Sequence, residues 1–476
     1  MSSKQYDIVV LGGGTGGYVA AVRAAQHGKT VAIVERDKLG GTCLHRGCIP
    51  SKALLRSAEV LATMKRGEEY GIALGGPVSL DFGKVQHRKS AIVEQLHKGV
   101  QFLMKKYSID VYRGNGRLIG PSIFSPRSGT VSVEVAEGEI ENLVPQHLII
   151  ATGSHPRTLP GLEIDGELVL TSEEALELEQ LPKSLVIVGG GVIGVEWASM
   201  MNDFGVDVTI VEFEKRLVPL EDADVSRELE RLFKKRGIRV LTGAKLLPET
   251  LVKDGGTARV QAEQNGAALQ LEADKLLVSV GRAGNVDGFG LEENTDVKVE
   301  RGLIKVNEHF QTTEGHIYAI GDVIGGLQLA HAAMHEAVAA VDRICGEEPH
   351  TYEPHLVPRC IYTRPEIASV GWTEEQAKQR GYEVKTGKFS FKAIGKALVH
   401  GEADGFVKVV ADARTKDVLG VHMIGPHVTD MISEAALAQL LNAASWEVGM
   451  TIHPHPTLSE ALGEAMLAVD GKSTSM

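Results

Sequence analysis

The chain has 476 residues, 43% hydrophobic and 24% charged, with a formal net charge of −12. That length suits about three domains of ordinary size. The negative balance argues against a nucleic-acid partner, and no apolar run approaches the roughly 18 residues that a membrane-spanning helix needs.

Four cysteines in so long a chain do not make a disulfide framework. No signal or transit segment precedes the first apolar run, so a reduced, cytoplasmic setting is expected. Tyr6-Asp7-Ile8-Val9-Val10-Leu11 reads as a short strand. Gly12-Gly13-Gly14-Thr15-Gly16-Gly17 follows, then a helical pattern through Ala25, then a second strand over 30–34 ending in Glu35. Strand, G-x-G-x-x-G, helix, strand, acid is the dinucleotide fingerprint. Gly12 permits the tight turn, Gly14 lets backbone approach a pyrophosphate, and Gly17 lets helix pack on strand. The helix N-terminus faces the phosphates. Glu35 is placed to accept hydrogen bonds from a ribose.

Gly40-Gly41-Thr42-Cys43-Leu44-His45-Arg46-Gly47-Cys48-Ile49-Pro50-Ser51-Lys52 comes next. An ideal helix separates residues i and i+5 by roughly 8 to 9 Å at Cα, more than the about 7 Å a disulfide tolerates. A bond between Cys43 and Cys48 therefore requires the backbone to leave helical geometry near Cys43, which Gly40 and Gly41 permit. Cys48 then sits at a helix N-terminus, where the dipole favours a thiolate. On these residues alone three readings stay open: a redox pair, two buried structural thiols, or half of a metal site. A metal would want a second ligand pair, and Cys345 and Cys360 are single and distant.

Helical patterns are expected around 53–64 and over 86–106, with a polar, Gly-rich connection at 65–83 between them. Short strands are expected through 107–147. His147 to Ser154 reads as a buried strand ending in a small-residue turn at Thr152 and Gly153. The fingerprint then recurs: strand 184–188, Gly189-Gly190-Gly191-Val192-Ile193-Gly194, helix 195–202, and strand 206–211 ending in Glu212. Both copies keep three glycines and the terminal acid, which implies two dinucleotides. A strand at 274–281 and the segment Thr313 to Asp322 follow. From Pro354 a strand-rich module begins, with helices about 429–444 and 457–468. The chain ends in His453-Pro454-His455-Pro456-Thr457-Leu458-Ser459-Glu460 before its last helix. Two prolines and the lack of a third nearby histidine argue against a metal there, and none is expected.

The stretch G-G-T-C-x-x-x-G-C-I-P-S-K resembles the redox motif of the flavin-dependent pyridine nucleotide–disulfide oxidoreductases. The two fingerprints, the A-T-G segment, the A-I-G-D segment ending in Asp322 and the ending H-x-H-P-T-x-x-E extend that resemblance from about Tyr6 to about Leu467. It implies an α/β fold: two Rossmann-like dinucleotide-binding domains plus a C-terminal α+β dimerisation domain. The implied boundaries are 1–154 and 282–350 for FAD, 155–281 for NAD, and 351–476 for the interface.

The resemblance also implies a redox-active Cys43–Cys48 disulfide, Cys43 being the interchange thiol and Cys48 the one against the flavin. His455 is implied as the acid/base, held by Glu460 and supplied by the partner subunit of a homodimer. Lys52 is implied to pair with Glu196 near the flavin. Thr152, Gly153 and Asp322 join Gly12, Gly14, Gly17 and Glu35 on FAD, and Gly281 joins Gly189, Gly191, Gly194, Glu196 and Glu212 on the NAD side. Within the family the chain most resembles members that oxidise protein-bound dihydrolipoamide with NAD, in 2-oxo acid dehydrogenase or glycine cleavage complexes. The implied partner is then a lipoyl-bearing acyltransferase or carrier protein.

The alternatives are another NAD(P)H-dependent disulfide reductase of this fold, or a non-catalytic flavin-binding interaction protein. NADPH-dependent glutathione reductase tends to carry arginines where Glu212-Phe213-Glu214 stand. Mercuric reductase adds a C-terminal cysteine pair, and the last cysteine here is Cys360. His45-Arg46 falls in a variable part of the redox motif and is assigned no role.

Overall fold

A computed structural model describes residues 2–121, 127–136, 139–349 and 352–475. The expected boundary between residues 350 and 351 lies outside the described residues. The chain forms two compact units, one of Met1–Ala53, Gly83–Arg157 and Gly281–Pro354, the other of Leu54–Phe82, Thr158–Val280 and His355–Met476.

In the first unit, strand Ser2–Leu11 pairs in parallel with Val31–Glu35 on one side and with Glu139–Ile150 on the other. Asp110–Arg113 extends the sheet beyond Val31–Glu35, and Ile317–Ala319 lies parallel to Glu139–Ile150. Two antiparallel strands, Thr130–Ala136 and Gly116–Ile119, complete it. Ile8, Val9 and Val10 are fully buried because both faces of their strand are covered. That is why the run is continuously apolar rather than alternating. Helices Thr15–Gln26 and Ala330–Ile344 pack on one face through Ala20, Ala21, Ala24, Ala337 and Ala340, small residues that let two helices share it. Burial of each Ile or Val in such a core contributes about 1.5–3 kcal/mol.

The second unit holds a five-stranded parallel sheet in the order Arg239–Thr242, Asp207–Glu212, Ser184–Val188, Lys275–Val278 and Val169–Leu170. A three-stranded antiparallel sheet, Ala244–Asp254, Thr257–Gln264 and Ala267–Ala273, packs Ala258, Val260 and Leu271 onto Val186, Val188 and Val211. A separate five-stranded antiparallel sheet runs Arg359–Ile361, Glu366–Gly371, Val418–Gly425, Phe406–Asp412, Val384–Ser390. Helices Val428–Leu440 and Glu460–Ala468 pack on this sheet, and the short helix Ser445–Gly449 on Glu460–Ala468. The fold is therefore α/β with a C-terminal α+β part, as expected.

Several elements differ from the sequence expectation. The helical pattern expected around 53–64 extends back to Cys48, at the helix N-terminus, and forward to Lys65. The helix expected over 429–444 ends at Leu440, and the separate turn Ser445–Gly449 follows. The antiparallel sheet over 244–273 has no counterpart in that expectation. Among the described residues no helix is long and apolar enough to cross a membrane.

Candidate active site

The first fingerprint turn is shaped by backbone contacts. Gly12 has φ +109°, and a Cβ there would meet the Ala151 carbonyl oxygen at 2.2 Å. A Cβ on Gly17 would lie 1.9 Å from the Gly12 carbonyl oxygen, so helix and turn touch only because Gly17 has no side chain. Gly14, by contrast, has no heavy atom within 4 Å of its Cβ position. It is the N-cap residue of helix Thr15–Gln26, whose first turn carries no acid and no side-chain cap. Such a terminus presents unpaired N–H groups and positive potential to open space. The half-buried Glu35 accepts from the Gly13 N–H at 2.7 Å and the Asp37 N–H at 2.8 Å, one bond per carboxylate oxygen. Each oxygen keeps a lone pair for a further donor.

The second fingerprint repeats this arrangement in the other unit. A Cβ on Gly189 would meet the Ser279 carbonyl oxygen at 2.3 Å, one on Gly194 the Gly189 carbonyl at 1.9 Å, and one on Gly191 nothing within 4 Å. Gly191 caps helix Val192–Phe204, again with no side-chain cap and no acid in the first turn. Glu212, buried, accepts from the Gly190 N–H and, at 2.6 Å, from the Glu214 N–H. Glu196 is buried on the same helix and accepts the Tyr362 N–H at 2.9 Å.

The cysteine stretch docks on the first fingerprint. The Gly40 N–H donates to the Gly13 carbonyl at 2.8 Å, and a Cβ on Gly41 would fall 2.6 Å from Gly14 Cα. Gly40, with φ +110°, starts the short helix Gly41–His45. That helix stops at Arg46, whose φ is −135°, and a new one begins at Cys48. The break brings the Cys43 and Cys48 side chains into hydrogen-bonding contact, both as free thiols. The Cys48 thiol is the main cause that pushes the Cys43 thiol up, burial adds to it, and the Lys52 charge opposes both. Lys52 thus acts on Cys43 from one turn beyond Cys48, half-buried. Tyr18 of the fingerprint helix also faces Cys43 and is raised, by burial first and then by that thiol.

Thr152, Gly153 and Asp322 lie in the same unit. The Thr152 hydroxyl donates to the Asn285 carbonyl at 2.8 Å, and Asn285 Nδ2 donates back to the Thr152 carbonyl at 2.8 Å. The Gly153 carbonyl accepts the Asn285 N–H at 2.9 Å. Asp322 accepts from the Ser154 hydroxyl, and Arg282 Nε reaches Ser154 Oγ at 2.7 Å and Asp322 at 3.9 Å. Gly281, expected on the NAD side, lies in this unit, its carbonyl accepting the Arg157 N–H at 2.9 Å. Ser154, Arg282 and Asn285 carry no site role in the sequence expectation. The only signal for them is position: Ser154 follows Gly153 directly, and Arg282 follows Gly281.

His455 and Glu460 lie in the second unit. His455 Nδ1 is 2.8 Å from Glu460 Oε1, and Glu460 Oε2 accepts the Thr457 N–H at 2.8 Å. The His455 side chain is 77% exposed, so its outer nitrogen faces solvent. His453 instead points inward, 2.8 Å from Glu434 and packed on Gly463.

Comparison with known proteins gives a consistent picture. Residues 6–337 match the family model for pyridine nucleotide-disulphide oxidoreductases, and 357–466 match the model for that family's dimerisation domain. The chain is 62% identical to the dihydrolipoyl dehydrogenase of Bacillus subtilis over 472 residues, 99% of each chain. It is 43% identical to that of Rhizobium etli over 481 residues, again 99% of each. Among solved structures it resembles LpdA from Mycobacterium tuberculosis, with a TM-score of 0.88 at 27% identity over 98% of this chain and 99% of that one. It also resembles RclA, an HOCl-induced flavoprotein disulfide reductase from Escherichia coli, with a TM-score of 0.83 at 27% identity over 97% and 99%.

Proposed function

The chain belongs to the pyridine nucleotide-disulphide oxidoreductase family, and from that premise we propose that it oxidises protein-bound dihydrolipoamide to lipoamide with reduction of NAD, using FAD and a Cys43–Cys48 disulfide. The observation that carries this reading is the Cys43 side chain set against Cys48 at a helix break, in the same unit as an uncapped dinucleotide fingerprint.

The residues present suit both cofactors. The space at Gly14, the free helix N-terminus behind it, Glu35, Thr152, Gly153 and Asp322 would hold FAD. Gly191, the N-terminus of Val192–Phe204 and Glu212 would hold NAD. Bound flavin supplies a two-electron relay between the cysteine pair and the nicotinamide. His455 of the partner subunit, oriented by that subunit's Glu460, takes the proton of the first substrate thiol. The resulting thiolate attacks Cys43 Sγ, breaking the Cys43–Cys48 bond and freeing Cys48 as thiolate. The second substrate thiol then attacks the first sulfur and gives its proton to the departing Cys43, closing the lipoamide disulfide and releasing Cys43 as thiol. The substrate has lost two electrons and two protons: the cysteine pair holds both electrons, one proton is on Cys43 and the other on the histidine. Lys52 favours the thiolate form of Cys43 during this exchange.

A homodimer fits the exposed apolar residues Leu437, Leu440, Leu441, Trp446, Met450 and Ile452, all within the segment that matches the dimerisation domain. The proposed partner is a lipoyl-bearing acyltransferase or carrier protein in the cytoplasm. The test is comparative turnover by the purified protein. NADH formation from dihydrolipoamide and NAD supports the reading. Turnover of glutathione disulfide with NADPH, and none of dihydrolipoamide, would place the chain with another reductase of this fold.

A further inference from the structure

The short helix Gly41–His45 carries Cys43 and is a little over one turn long, too short to hold itself. Its last residue folds back. His45 Nε2 lies 2.9 Å from the Leu39 carbonyl oxygen. His97, buried on helix Phe82–Lys106, places Nδ1 3.0 Å from the same oxygen. The two rings meet edge to face, centroids 5.0 Å apart at 71°. Gln101 Nε2 lies 3.1 Å from His97 Nε2 and donates to it, which leaves the His97 proton on Nδ1, facing Leu39. Two imidazole N–H groups thus fill the two lone pairs of one carbonyl. Leu39 is itself fixed, since the next residue, Gly40, is bonded to the fingerprint turn.

We infer that His45 is a positioning residue for the cysteine pair: with His97 it clamps the Leu39 carbonyl and so holds the turn that sets Cys43 against Cys48. The inference rests on the redox reading of that pair. Holding two thiols at bonding distance raises their effective concentration and favours the disulfide. The groups that face His45 are His97, Lys38 and Asp37, and Asp37 in turn is met by Arg46. Burial holds the His45 ring below its ordinary titration range; the bond to the Leu39 carbonyl works against that lowering, and His97 and Lys38 add to it. Arg46 and Asp37 are both about half exposed, and an ion pair in that setting contributes little.

The test is the thiol–disulfide equilibrium of the purified holoenzyme against dithiothreitol, read by acid quench, alkylation and mass. The exchange balances: one protein disulfide and one dithiol give two protein thiols and one cyclic disulfide. His45→Phe keeps a ring without the donor, and His45→Gln puts an amide N–H near the position of Nε2. His45→Phe should shift the equilibrium about tenfold toward the dithiol, which is about 30 mV for two electrons, while His45→Gln and Arg46→Ala stay within about twofold of wild type. A His45→Phe protein that matches wild type, or a His45→Gln protein that shifts as far as His45→Phe, would overturn the inference. If His45→Phe does not fold, His97→Leu against His97→Asn reads the same carbonyl from the other side. His97→Leu should then shift toward the dithiol and His97→Asn should not; a His97→Leu protein that matches wild type, or equal shifts in both, would overturn the inference. A wild-type protein with no Cys43–Cys48 cross-link under oxidising conditions would overturn the redox reading itself, and this inference with it.

Discussion

His455 Nδ1 and Glu460 Oε1 are 2.8 Å apart, on an otherwise exposed ring. Burial works to raise the Glu460 carboxyl, but the Thr457 N–H and the His455 ring hold it below the ordinary glutamate range. The carboxylate therefore stays charged through neutral pH, and the pair is lost only as pH falls through that lowered value. His455→Ala should lower the kcat for dihydrolipoamide by roughly 10²–10⁴-fold, the span typical of a lost acid/base. Glu460→Ala should cost less, because it removes the orienting group and leaves the imidazole. Electron flow from NADH to an artificial acceptor should persist in both. A His455→Ala enzyme at wild-type rate would remove the assignment.

The fingerprint glycines should separate by their surroundings. Gly14→Val adds a side chain where the protein has no atom within 4 Å, so folding should survive while flavin affinity falls. Gly17→Ala forces a Cβ onto the Gly12 carbonyl at 1.9 Å and should lower thermal stability of the apoprotein as well. The same contrast should hold between Gly191 and Gly194 for NAD, with flavin retained in Gly191→Val. Calorimetry of apoprotein beside flavin and NADH titrations decides it; equal damage from Gly14→Val and Gly17→Ala would contradict the cradle.

NAD should be preferred to NADP. Glu212 is buried at the end of its strand, both oxygens engaged by backbone N–H groups and each with a lone pair left for a ribose hydroxyl. A 2′-phosphate would remove one donor and bring negative charge against that carboxylate. Glu212→Ser should reduce the ratio of kcat/KM for the two cofactors by at least about tenfold, or 1.4 kcal/mol. An unchanged ratio would show that discrimination lies elsewhere.

Lys408 is buried in the second unit, its Nζ 3.0 Å from Asp222, 3.1 Å from Asp224 and 2.8 Å from Glu374. Burial works to lower its ammonium, but Glu374 and Asp222 outweigh it and raise the group to about 12. Its contribution is fully present below the ordinary lysine value of 10.5 and is lost as pH rises through about 12. Lys408→Met should destabilise by about 3 kcal/mol, because Asp222 is left charged and buried with no cation, its oxygens met only by the Asp224 and Glu374 N–H groups. Adding Asp222→Asn should recover part of that loss in denaturant titrations. A single variant within about 1 kcal/mol of wild type would contradict the network.

Much of this was legible in the sequence because the signals are local. The spacing of Gly12, Gly14 and Gly17 reflects contacts made within one strand–turn–helix, and the second copy at Gly189, Gly191 and Gly194 repeats them. The α/β class was implied by the resemblance that those two copies help to carry. The antiparallel sheet over 244–273 was missed because its first strand contains Pro248 and has an irregularity between Leu247 and Val252 that breaks the alternation. The periodic pattern around 53–64 covers only part of the helix Cys48–Lys65, whose first turn holds Pro50, where proline is tolerated; the N-terminus at Cys48 was expected from the cysteine spacing. Ser154 and Arg282 meet Asp322 across 168 and 40 residues of chain, and His97 meets Leu39 across 58. Such pairs exist only once the sheet is assembled.

The most direct test of the central claim is the rate of NAD reduction by dihydrolipoamide in a Cys48→Ser protein. A lone Cys43 cannot form an intramolecular disulfide. The variant should bind flavin, pass electrons from NADH to an artificial acceptor, and show no turnover of dihydrolipoamide above background. Dihydrolipoamide oxidation near the wild-type rate, with flavin content unchanged, would contradict the claim that the Cys43–Cys48 pair carries the reaction.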